Sequence, residues 1–164
     1  MLRILDIVEG TSVDGTGLRT SIYFAGCGNR CEGCHNPQSW DPDGGREACI
    51  DEILERVKRA GMNVTFSGGD PLFRPAEVTE LARRIKSETG MTIWCYTGYT
   101  FEEVAADPLR SAILEYVDVL VDGRYEAGRR DTSLRFRGSG NQRIIDVGRS
   151  RAEGRIVELT DDEM

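Results

Sequence analysis

Short β-branched runs and amphipathic helical patterns take turns along this chain, and that alternation restricts its fold more than any other feature. Thr20 to Phe24, Asn63 to Phe66, Met91 to Tyr96, Val117 to Val121 and Gln142 to Val147 read as five strands. Between them, Ile50, Ile53, Leu54 and Val57 share one helical face, and so do Val78, Leu81, Ala82 and Ile85. Pro75 suits the first turn of the second helix, and Gly90 is placed to end it. Thr100 and Glu103 have capping-box spacing for a third helix, which Asp107-Pro108 breaks and Ile113 to Tyr116 resumes. Strand-helix alternation of this kind predicts an α/β fold with a parallel sheet and right-handed crossovers. Ile4 to Val8 is expected as an added N-terminal edge strand. Residues 1–149 then form one domain, and 150–164 a polar, loosely ordered tail.

At 164 residues the chain can bury one core, but it is too short for a complete eightfold β/α barrel, which takes about 250. A net charge of −7 argues against a nucleic-acid surface, which needs Lys and Arg to neutralise phosphates. The start lacks a charged leader followed by an apolar run, and no stretch reads as a membrane span. A cytoplasmic protein is the expectation. In that compartment clustered cysteines bind metal or do redox work, and an odd count of five fits disulfides poorly.

Three of the five fall within eight residues, Cys27, Cys31 and Cys34, spaced C-x3-C-x2-C with glycines between them. Such a loop can curl so that thiolates converge. An electron-transfer 4Fe-4S cluster takes four cysteines, so three would leave one iron open to a ligand. Two other readings share these residues. Cys31-Glu32-Gly33-Cys34-His35 matches a c-type haem attachment pattern, although that leaves Cys27 without a task. A zinc site would use the three cysteines and His35, but adjacent Cys34 and His35 make an awkward pair on one ion. Cys95, inside an apolar run, reads as a buried structural thiol, and Cys49 is also read as structural.

Downstream of the second strand stands Ser67-Gly68-Gly69-Asp70-Pro71, at the carboxyl end of the sheet, where parallel α/β folds bind ligands. Its glycines permit close backbone approach, and Asp70 offers negative charge or exposed carbonyls to an ammonium group. Alone, it is equally a good turn sequence.

In combination the motifs are selective. Asp14-Gly15-Thr16-Gly17-Leu18-Arg19, Phe24-Ala25-Gly26-Cys27, Cys34-His35-Asn36-Pro37, Thr65 to Leu72, Tyr96-Thr97-Gly98-Tyr99, Asp118 to Gly123 and Leu134 to Asp146 together resemble the radical S-adenosylmethionine (SAM) superfamily. Within it they are similar to the activases of glycyl-radical enzymes, and above all to the short branch serving anaerobic ribonucleoside-triphosphate reductase. Two positions differ from the wider pattern: Thr16 replaces a frequent proline, and Gly33 replaces an aromatic that would stack on adenine.

The resemblance implies a partial, open (β/α) barrel of about five parallel strands and a 4Fe-4S cluster on Cys27, Cys31 and Cys34. It also implies SAM chelating the open iron, with Gly68, Gly69 and Asp70 along its methionyl group and Gly33, His35 and Asn36 beside cluster and nucleoside. Reductive cleavage of SAM would then create a glycyl radical on the reductase, with an electron donor such as flavodoxin or ferredoxin. Too few strands to close would leave a side open for a loop of that partner. The arginines between Arg124 and Arg143 would dock the partner, anchor the SAM carboxylate, or only solvate a loop. A minimal small-molecule enzyme of the deazapurine synthase kind and a non-catalytic zinc module are the competing functions.

Overall fold

The computed structural model describes residues 1–34 and 37–164. Seven strands form one mixed sheet: β1 (Leu2–Thr11), β2 (Arg19–Phe24), β3 (Arg46–Ala48), β4 (Asn63–Gly68), β5 (Ile93–Tyr96), β6 (Val119–Asp122) and β7 (Arg143–Asp146). Their order is β3-β1-β2-β4-β5-β6-β7. The helices are α1 (Ile50–Ala60), α2 (Pro75–Glu88), α3 (Phe101–Ala106) and α4 (Val147–Glu153). The α/β class expected from the sequence is what folds.

β2, β4, β5 and β6 are mutually parallel, each joined to the next through helix. The sheet departs from expectation at both ends. β7 runs antiparallel to β6. Residues 123–142 between them hold only a short 3-10 turn, Ala127–Arg129, so no crossover helix carries the chain back to the far end of the sheet. At the other flank β1 is not the edge. Arg46–Ala48 pairs antiparallel outside it, three residues too short and polar to announce themselves as a strand.

Alternation along the strands sorts side chains onto two faces. Ile22, Phe24, Val64, Phe66, Ile93, Cys95 and Leu120 join the helix residues Ile53, Leu54, Val57, Val78, Leu81, Ala82 and Ile85 in the main core. Trp94, Val119, Val121 and Ile144 form a smaller cluster on the opposite face, against Tyr96, Phe136, Leu159 and Met164. The chain beyond Arg149 is therefore not a loose tail. α4 runs through that point, Asp146 N–H donates to the Val157 carbonyl at 2.8 Å, and Leu159 N–H donates to that of Ile144 at 2.8 Å. Backbone pairing with β7 orders a segment whose composition is polar.

The second face also buries a cation. Arg19 is 1 % exposed and donates to Thr65 Oγ1 (2.9 Å), to the carbonyls of Val64 (2.9 Å), Thr92 (3.2 Å) and Thr16 (3.1 Å), and to Thr92 Oγ1 (3.2 Å). Its guanidinium lies 5.6 Å from the Trp94 ring, and burial lowers its pKa to about 10. It rivets β2 to β4 and to the start of β5. Arg19→Met should destabilise the protein by about 3 kcal/mol, measured by urea unfolding, because several buried acceptors lose their donor together.

Candidate functional site

The cysteine loop leaves β2 at the carboxyl end of the parallel strands and is fixed there by backbone. Gly26 N–H donates to the Ser39 carbonyl (2.8 Å), Cys27 N–H to that of Trp40 (3.4 Å), and Asp70 N–H to that of Gly26 (2.8 Å). Glycines make this approach feasible. A Cβ on Gly69 would stand 2.5 Å from the Gly26 oxygen and 2.7 Å from that of Ser39, and one on Gly68 would collide with the Phe24 backbone. These two residues therefore admit the protein's own loop on one side, while lining a cleft on the other. The cleft, of about 210 Å³, brings together Cys27, Cys31, Cys34, Gly68, Gly69 and Asp70, which lie in two separate motifs.

Asp70 is 2 % exposed, and its carboxylate is spent on the protein. Oδ1 accepts from Leu72 N–H and the Thr97 hydroxyl (both 2.9 Å). Oδ2 accepts from Gly98 N–H (2.9 Å), Asn29 Nδ2 (3.0 Å) and, again, Thr97 (3.1 Å). Burial pushes its pKa up, against the pull of the Gly98, Leu72 and Thr97 hydrogen bonds and the Arg110 charge. The side chain thus ties the cysteine loop to the ends of β4 and β5. Neither Asn29 nor Thr97 is marked by spacing alone.

Residues 123–142 supply the remaining wall. The Tyr125 backbone pulls the Cys31 pKa down against the upward push of burial. The Tyr125 ring fits between Gly33 and Gly138: a Cβ on Gly33 would meet it at 3.5 Å and one on Gly138 at 3.1 Å. An aromatic surface is thus present beside Gly33, carried by another segment. Arg124 Nε donates to Asn29 Oδ1 at 3.0 Å, and Gln142 Oε1 accepts from Gly138 N–H at 2.9 Å. Gln142 belongs to the Leu134 to Asp146 motif and Arg124 to the basic stretch, whereas Tyr125 carries no signal in the sequence. His35 and Asn36 lie outside the described residues.

Comparison with known proteins decides between the readings of this loop. Residues 13–145 match a family model described as a 4Fe-4S single cluster domain. The anaerobic ribonucleoside-triphosphate reductase-activating protein of Pasteurella multocida is 41% identical over 80% of this chain and 89% of its own length. The protein of that name from Escherichia coli K12 is 36% identical (79% and 89%), and that of phage T4 33% (80% and 86%). The chain belongs to the radical SAM family of 4Fe-4S activating proteins.

The donor set fits the family's cluster. Cys27, Cys31 and Cys34 form no disulfide, and all three are partly exposed on one cleft. Burial raises the Cys31 pKa first, and the neighbouring Cys27 and Cys34 raise it further. The other two cysteines lie elsewhere. Cys95 is buried in β5, and Cys49 is an exposed N-cap of α1 whose sulfur accepts from Glu52 N–H at 3.4 Å. Among the described residues no three ligand side chains already stand close enough to hold a metal ion. A cluster held by the folded loop and not by the unfolded chain adds its binding energy to the folding energy. Among these residues, too, no helix is long and apolar enough to cross a membrane.

Two outcomes follow. Loading the cluster should raise the thermal unfolding midpoint, measured anaerobically against the cluster-free chain. Gly69→Ala should cost roughly 1–3 kcal/mol in chemical unfolding and lower the iron and sulfide retained, because the Cβ forces the cysteine loop away from β4.

Proposed function

We propose that this chain activates an anaerobic ribonucleoside-triphosphate reductase by generating a glycyl radical on it. The observation that carries the reading is the three-thiol cleft at the carboxyl ends of the parallel strands, with both other cysteines placed away from it. When bound there, the 4Fe-4S cluster supplies the electron that cleaves SAM reductively, with one iron left to the cofactor. The names of the relatives support the choice of partner.

The protein's own share is to hold, orient and exclude. Cys27, Cys31 and Cys34 ligate iron. Gly68, Gly69 and the backbone around Asp70 line the methionyl end of SAM; since the Asp70 carboxylate is already bonded, the ammonium partners are carbonyls exposed at the strand ends. Gly33, His35 and Asn36 border the nucleoside, where the Tyr125 ring is the aromatic surface open to a purine. The sheet, with its main core and helices on one face, is read as a partial, open barrel. Its cleft stays open to solvent, which suits a protein loop as substrate. The reaction belongs in the cytoplasm, with a flavodoxin or ferredoxin as electron donor.

The reading is tested by anaerobic reconstitution with SAM, reductant and the candidate reductase. A glycyl-radical EPR signal should appear together with 5′-deoxyadenosine; deoxyadenosine without a protein radical would reject the partner. Alanine at Cys27, Cys31 or Cys34 should each abolish both products and the bound iron. Cys49→Ala should leave iron and both products at the wild-type level.

A further inference from the structure

Among the described residues Phe136 is one of two non-glycine residues with positive φ, at 61°. Backbone of this kind costs on the order of 1–3 kcal/mol and persists only where its surroundings impose it. Here the Tyr96 hydroxyl donates to the Phe136 carbonyl at 2.7 Å, and the Trp94 ring meets the Phe136 ring edge-on at 5.4 Å. The turn separates the arginines on either side of it. Arg135 points away, with its guanidinium 5.1 Å from the Phe136 ring and a bond to the Met164 carbonyl at 3.4 Å. Arg137 lines the cleft instead.

Its head group is held but not spent. Nη1 donates to the Gln142 carbonyl at 2.9 Å, while Nε is buried with no hydrogen-bond partner. Gln142 is itself immobilised, accepting from Gly138 and Ser139 N–H and donating to the Gly123 carbonyl. Two of the other arginines of this stretch have carboxylates: Arg129 has Glu126 at 3.7 Å, and Arg143 has Asp122 at 2.6 Å. Among the described residues no carboxylate forms an ion pair with Arg137; its charge reaches Asp131, whose pKa it helps to lower, and it is the one cation among those lining the cleft. A guanidinium without an ion pair, positioned by a strained turn in a chain of net charge −7, calls for an anionic group of the ligand.

We propose that Arg137 anchors the carboxylate of the amino-acid end of SAM, an inference that rests on the SAM-binding reading above. The planar fork of N–H groups matches a carboxylate, which an ammonium does not reproduce. Arg137 thus divides from the exposed arginines around it, whose surface faces outside the cleft.

Equilibrium dialysis of the cluster-loaded protein under anaerobic conditions tests this, with SAM and with decarboxylated SAM as probes. Arg137→Gln should weaken SAM binding about tenfold or more, and Arg137→Lys should recover part of that loss. Binding of decarboxylated SAM should change far less in both variants. Iron and sulfide content and the thermal midpoint, both at wild-type level, would show that the fold is kept. Equal losses for both probes, or unchanged SAM binding with only reductase binding weakened, would overturn the inference. Wild-type protein that carries its cluster but fails to bind SAM would sink the cofactor reading, and this anchor with it.

Discussion

A carboxylate cut off from water must find donors within the protein, and the architecture of this site follows from how Asp70 finds its own. Four donors converge on it from three segments: the turn after β4, the turn after β5 and the cysteine loop. None of these segments is regular enough to hold its position by secondary structure. The shared acceptor makes them one unit, and the cleft is the space between them. Asp122, 1 % exposed at the end of β6, does the same on the next strand: it accepts from Phe101 N–H at the start of α3 and from Arg143 of β7. Two buried carboxylates at strand ends thus organise the side of the sheet on which chemistry is to occur.

The two faces of the sheet are held by different chemistry. One face is apolar and packs on the helices. The other carries Arg19, Ser21 and Tyr23 of β2, with Asp14 accepting from Ser21 at 3.1 Å and from Tyr23 at 2.5 Å. Burial, with that hydrogen bond, raises the Tyr23 pKa to about 12, so the phenol stays a donor across the working pH range. Polar groups on this face hold one another in place, which leaves the strand ends free to present backbone, glycine and thiol to a ligand.

Much of this could be read from the residues, because it rests on local chemistry. The spacing of Cys27, Cys31 and Cys34, the Ser67–Pro71 turn and the helical periodicities of Ile50–Val57 and Val78–Ile85 are properties of short stretches. What stayed hidden depends on long-range partners. Asn29 and Asp70 are 41 positions apart, and Tyr125 reaches Gly33 from across the cleft. The direction of β7 is set by the absence of a crossover helix, not by anything within Arg143–Asp146. Nor does a phenylalanine announce a left-handed backbone, so the turn that aims Arg137 at the cleft has no mark in composition. The segment after Arg149 reads as a loosely ordered tail because its order comes from pairing with β7.

On the proposed reading, three cysteines leave one iron of the cluster to be completed by SAM. Electron–nuclear double resonance on the reduced, cluster-loaded protein, with SAM isotope-labelled at its amino nitrogen and carboxylate, tests it most directly. Both labels should show hyperfine coupling to the cluster, and Cys49→Ala should leave that coupling unchanged. A cluster that forms on Cys27, Cys31 and Cys34 yet couples to neither label would mean that SAM does not complete the open iron.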